Sequence, residues 1–85
     1  MSASLAEMAR TIGVGTEYAD LPEPLSVRLR WSATAELWCA TPAEARLWAL
    51  WLGLANTAQL DGDVWRCERM GWAIDVHVDY VAVAR

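Results

Sequence analysis

The sequence predicts an α+β fold, a four-stranded, mostly antiparallel sheet with two helices packed on one face, in the order α-β-β-α-β-β. Three observations predict it. Two capping boxes, Ser4 to Glu7 and Thr41 to Glu44, stand ahead of apolar residues at helical spacing. Residues 25–33 and 72–80 alternate apolar and polar side chains, the period of a half-buried strand. With 85 residues there is room for one core only. We divide the domain into an N-terminal helix (1–13), a connector (14–24) and a ββαββ core (25–85).

The first helix is expected from about Leu5 to Ile12, because Leu5, Met8, Ala9 and Ile12 share a face and Gly13 follows as a stop. The connector holds two prolines, Pro22 and Pro24, that favour extended chain, and an acidic rim of Glu17, Asp20 and Glu23. In the first strand Leu25, Val27, Leu29 and Trp31 point one way, and Ser26, Arg28 and Arg30 the other. A hairpin at Ser32–Thr34 would set Arg30 across from Glu36 and Arg28 across from Trp38, an ion pair and a cation–π contact. Ala35, Leu37 and Cys39 continue the inward side.

The central helix opens at Thr41, has Pro42 where a missing N–H costs nothing, and ends near Gly53. Ala43, Leu47, Leu50, Trp51 and Leu54 form its expected inward face. The opposite flank, Ala45, Trp48, Ala49 and Leu52, is apolar too, so this helix asks for cover on more than one side. Residues 56–62 read as a loop turning at Asp61-Gly62. A third strand spans Asp63 to Glu68 with Trp65 and Cys67 inward. The fourth, Trp72 to Val83, is the longest and the expected central one, with Val81 to Ala84 covered on both sides.

Composition narrows the function. At 55% hydrophobic and 21% charged residues the chain is too apolar for disorder. A net charge of −4 opposes general affinity for nucleic acid or anionic membrane, which depends on basic residues displacing counterions. No secretory leader and no membrane-length apolar run is read, so the expected location is cytoplasmic, with both cysteines reduced and buried. All seven basic residues are Arg, and six Trp stand against no Phe, a bias of GC-rich coding.

Among side chains with chemistry, Asp75, His77 and Asp79 project together from one strand face. Carboxylate and imidazole are metal-ligand types, but a solvated face with Asp75 paired to Arg66 is the preferred reading, and no metal or cofactor is assigned. Arg28, Arg30 and Arg66 with Trp38 form a candidate ligand-binding face, of a kind that stacks single-stranded bases. Glu36, Glu68, Asp75 and Asp79 share that face and cancel its charge. No nucleophile motif, phosphate loop or dinucleotide fingerprint occurs, so an enzyme is not expected. Trp31, Trp51, Trp65 and Trp72 are assigned to the core. Trp48, Leu52, Ala45 and Trp38 remain as candidate interface residues, since exposed Trp among apolar neighbours is the composition of a binding hot spot.

The helix Thr-Pro-Ala-Glu with an Ala/Leu/Trp body ending Leu-Gly-Leu, then Asp-Gly-Asp-Val-Trp and the Val-rich strand from Ile74 to Val81, resembles short uncharacterised proteins of high-GC actinobacteria and their phages or mobile elements. The resemblance covers residues 25–85 and carries no active residues over. The expectation is a small non-enzymatic accessory protein that binds itself as a homodimer and binds a host or phage protein. The alternatives are a small-ligand or nucleotide-binding protein with a Trp/Arg-lined pocket, and a metal-dependent enzyme centred on His77.

Overall fold

The computed structural model describes residues 2–53, 57–60 and 63–80. Among these residues, two helices, α1 (Leu5–Glu17) and α2 (Pro42–Gly53), lie on one face of a sheet of five strands, β1 (Ser26–Arg30), β2 (Thr34–Cys39), β3 (Thr57–Gln59), β4 (Trp65–Arg69) and β5 (Trp72–Val78). The α+β class and the element order are as the sequence predicts, with β3 added. The three residues of β3 fall in a stretch read as loop; a strand this short shows no period, and pairing with β4 defines it.

The strand order is β1-β2-β5-β4-β3, so the longest strand is central, as expected. Its pairing with β2 is parallel, from Thr34 opposite Ala73 to Cys39 opposite Val78, and the other three pairings are antiparallel. The Asp79 N–H extends the parallel ladder with a 2.9 Å bond to the Cys39 carbonyl. The predicted Leu54 contact, the Asp61-Gly62 turn and the covered tail from Val81 to Ala84 lie outside the described residues.

Both caps form. The Ser4 hydroxyl accepts from the Glu7 N–H at 3.1 Å, and the Thr41 hydroxyl from the Glu44 N–H at 3.2 Å. Helix α1 runs past Gly13 and Gly15 to Glu17, one turn beyond the expected stop and into the stretch assigned to the connector. Gly15 serves close approach rather than termination. A Cβ there would stand 2.6 Å from the Trp48 ring.

The hairpin register differs by two residues from expectation. Arg30 pairs with Thr34 and Arg28 with Glu36, around a turn of Trp31, Ser32 and Ala33 closed by Ala33 at φ +61°. This is the three-residue loop whose last residue is left-handed. Trp31 therefore sits at the hairpin tip, 89% exposed, instead of in the core. Ser26, not Arg28, faces Trp38, and the Arg30–Glu36 ion pair forms on the diagonal at 3.1 Å.

Between the helices and the sheet lie Met8, Ile12, Leu37, Cys39, Trp48, Leu52, Trp65, Cys67, Trp72, Ile74 and Val76, all buried. Two indole N–H groups inside this layer find backbone acceptors. Trp48 Nε1 donates to the Pro22 carbonyl at 2.7 Å, and Trp72 Nε1 to the Ala3 carbonyl at 2.8 Å. Trp51, also assigned to the core, lies half-buried at its margin, with its ring edge-on to Trp48 and the Arg69 guanidinium 5.3 Å above it.

The two glycines of α1 should respond oppositely to alanine. Gly15→Ala forces a methyl against the Trp48 ring and should cost about 1–3 kcal/mol. Gly13 has open space around its missing Cβ, so Gly13→Ala should add about 0.5–1 kcal/mol through helix propensity. Urea unfolding of both variants checks this; equal effects would mean that Gly15 is not a contact point.

Candidate functional site

Among the described residues no helix covers the sheet face away from α1 and α2, and that face holds the polar residues singled out above. Register places Arg28, Glu36, Asp75 and Arg66 in one row across β1, β2, β5 and β4. The row reads plus, minus, minus, plus, with the two carboxylates on the central strands. Arg66 closes on Asp75 through Nε at 2.8 Å and Nη2 at 3.1 Å, the expected pair. These hydrogen bonds, with the guanidinium charge, hold the Asp75 carboxyl below its ordinary value. Glu36 accepts from Arg30 on one oxygen, while its other lies 3.7 Å from His77 Nε2.

Beside this row, a shallow depression of about 340 Å³ is floored by Ala73 and Thr34 and rimmed by Arg30, Arg66, Glu36 and Asp75. Both arginines on the rim are already paired. Trp38 stands outside it, one row along, with its indole stacked on the His77 imidazole at 4.2 Å and 13° between planes. Arg28 stands at the far edge. Of the four candidate ligand residues, then, the structure brings Arg30 and Arg66 together and leaves Arg28 and Trp38 apart. Inside its β1 edge, a face so arranged offers no net charge to an anion, because each inner carboxylate holds an arginine; Arg28, at the edge, is left without an ion-pair partner among the described residues.

Asp75 and His77 share this face of β5. Both Asp75 oxygens belong to Arg66, and His77 Nε2 is buried without a hydrogen-bond partner among the described residues. Among those residues no three His, Cys, Asp or Glu side chains converge as a metal site. The cysteines are free and buried, and β5 lies between the strands that carry them. Burial pushes the Cys39 thiol up to about 11, with Glu44 adding to it, and the Cys67 thiol up to about 12, with Asp75 adding. Neither is a nucleophile at neutral pH.

The candidate interface residues need correction. Trp48, Leu52 and Ala45 are fully or almost fully buried inside the single chain, so they form its core and not a contact surface. Helix α2 is turned by about half a circle from the expected phase. Ala45, Trp48, Ala49 and Leu52 face the sheet, and Ala43, Leu47 and Leu50 face out. Two alanines at a spacing of four let the helix come close to the sheet, and the inward Trp48 gains the Pro22 carbonyl. Apolar content alone could not decide between two greasy flanks. Trp38 is half-buried, engaged by His77.

Sequence reasoning missed three surface features. These are Leu47 and Leu50, half-exposed on α2; Trp31 at the hairpin tip; and a groove of about 370 Å³ between α1 and β1, lined by Ala9, Ile12, Gly13, Pro24, Val27 and Leu29. The hairpin loop length was the signal for Trp31. No local signal existed for the other two, which follow from helix phase and helix placement.

No protein-family model matches the chain, and no curated protein or solved structure matches it either. Among the described residues, no helix is long and apolar enough to cross a membrane.

Two measurements test this site. Neither thiol should react with a disulfide reagent in the native state, and both should react in denaturant; a fast native reaction would contradict their burial. Asp75 has a lowered pKa in the fold, so its pairing stabilises above the ordinary carboxylate value and is lost as pH falls through the folded one. Asp75→Asn should therefore flatten the loss of stability below about pH 4, read from urea midpoints across a pH series. An unchanged acid limb would mean that the pair contributes nothing.

Proposed function

We propose that the chain is a small accessory protein that acts by binding protein surfaces, as a homodimer, without catalysing a reaction. The observation that carries this reading is the outward flank of α2. Leu47 and Leu50, one turn apart, are 50% and 42% exposed on a helix whose other flank already fills the core. Ala43 lies a turn before Leu47 and keeps that flank apolar. Trp48 and Leu52, the residues on which the expectation of surplus apolar surface rested, are roofed within the chain, so this reading rests on the other flank of the helix. Trp31 at the hairpin tip adds an aromatic side chain of the type that anchors protein interfaces.

Several features fit an accessory role in a reducing, cytoplasmic setting. The two cysteines are free, and no three His, Cys, Asp or Glu side chains converge as a metal site among the described residues. The resemblance of residues 25–85 to short proteins of high-GC actinobacteria and their phages or mobile elements supports the same setting. The partner beyond the second copy would then be a host or phage protein.

Sedimentation across the micromolar range tests the reading. The expected result is a concentration-dependent dimer that Leu47→Lys together with Leu50→Lys converts to monomer, with unchanged circular dichroism. A monomer at every concentration overturns self-association, and a dimer indifferent to the double variant overturns the α2 flank as its seat.

A further inference from the structure

We propose that β1 is a docking edge for an extended acidic segment of a partner protein, which adds to the sheet as a sixth strand. The proposal rests on the reading of the chain as a binding protein and names the chemistry of its second partner.

Among the described residues, strand β1 is paired on one side only, by β2, and it is exposed over most of its length. Alternate N–H and C=O groups of such an edge point to solvent and template another strand. The two faces flanking this edge differ in chemistry. On the helix side, Val27, 41% exposed, and Leu29 form one wall of a mainly apolar groove whose other wall is Ala9, Ile12 and Gly13 of α1, and Glu23 also lines it, which disfavours a carboxylate on the groove side of an added strand. On the open side stand Arg28 and Arg30. Arg28 has no ion-pair partner among the described residues, because Glu36 opposite it is taken by Arg30.

A strand added here alternates its side chains between these two faces. Every second side chain enters the groove, and the intervening ones meet the unpaired Arg28 and, beside it, Arg30, which also holds Glu36. The matching segment therefore alternates small apolar residues with Asp or Glu. A second copy of the chain is the poorer occupant. Full overlap of β1 with its own two-fold mate sets Arg28 opposite Arg28, and a two-fold through Leu29 sets Arg28 opposite Arg30, like charges that disfavour pairing. The same arginines that guard the edge against itself select an acidic strand.

The test uses the whole chain and two short blocked peptides, one alternating Glu with Val and the other Lys with Val. Amide chemical shifts should move along Ser26–Arg30 and at Ile12 with the glutamate peptide, and the affinity should fall as salt rises. The β1 amides should gain protection from hydrogen exchange. Arg28→Glu, at an exposed and unpaired position, should weaken the glutamate peptide at least about tenfold and favour the lysine peptide instead. Val27→Asp should abolish binding of both from the groove side.

Equal binding of the two peptides, or shifts confined to the open sheet face or to α2, would overturn the proposal. So would no shift at β1 while the chain still dimerises, and in that case the binding function stands without this edge. A folded chain that neither dimerises nor takes the peptide removes both.

Discussion

The fold depends on two buried indoles that each hold a distant length of backbone. Trp48, on α2, reaches the Pro22 carbonyl, and Trp72, at the start of β5, reaches the Ala3 carbonyl. A buried N–H without an acceptor costs about 1–3 kcal/mol, so the segments before and after α1 are held where these rings need them. That fixes both ends of α1 over the sheet. Gly15 then has to pass the Trp48 ring closely, and the groove beside β1 is what remains between a helix set by its ends and the edge strand below.

How far the structure was legible in the sequence varies by element. The caps at Ser4 and Thr41 were readable because they are local, a hydroxyl and an N–H three residues on. The long central strand was readable because Trp72, Ile74, Val76 and Val78 alternate with Ala73, Asp75 and His77 against a single buried face. The phase of α2 was not. With Ala, Leu and Trp on both flanks, the decision falls to small residues that permit close approach and to an acceptor for one indole, both tertiary matters. The end of α1 failed for a related reason, since Gly13 carries a stop signal and the packing of Gly15 overrides it. In the candidate site, the Arg66–Asp75 pair could be read from alternation. The candidate contact residues could not, because they depended on the helix phase.

The open face shows how three arginines and two aromatic rings can make a surface with no strong character. In the row from Arg28 to Arg66 the two carboxylates are interior and the two guanidiniums exterior, so charge is balanced over a few ångströms and little field projects into solvent. Trp38 and His77 cover each other's rings by stacking. What stays uncommitted lies at the periphery: an edge strand, a helix flank and a hairpin tip. Binding capacity in this molecule is a property of its margins.

The parallel pairing of β2 with β5 bears on how the chain is made. Those partners lie far apart in sequence, and β5 leaves the ribosome after every other described element. Until it emerges, the nascent hairpin of β1 and β2 lacks the strand that joins it to β4, and loop closure has to bring the strands together late. Completion of the core is thereby deferred until β5 has been made. The unfinished chain presents Leu37, Cys39 and Trp48 to whatever chaperone waits at the exit tunnel.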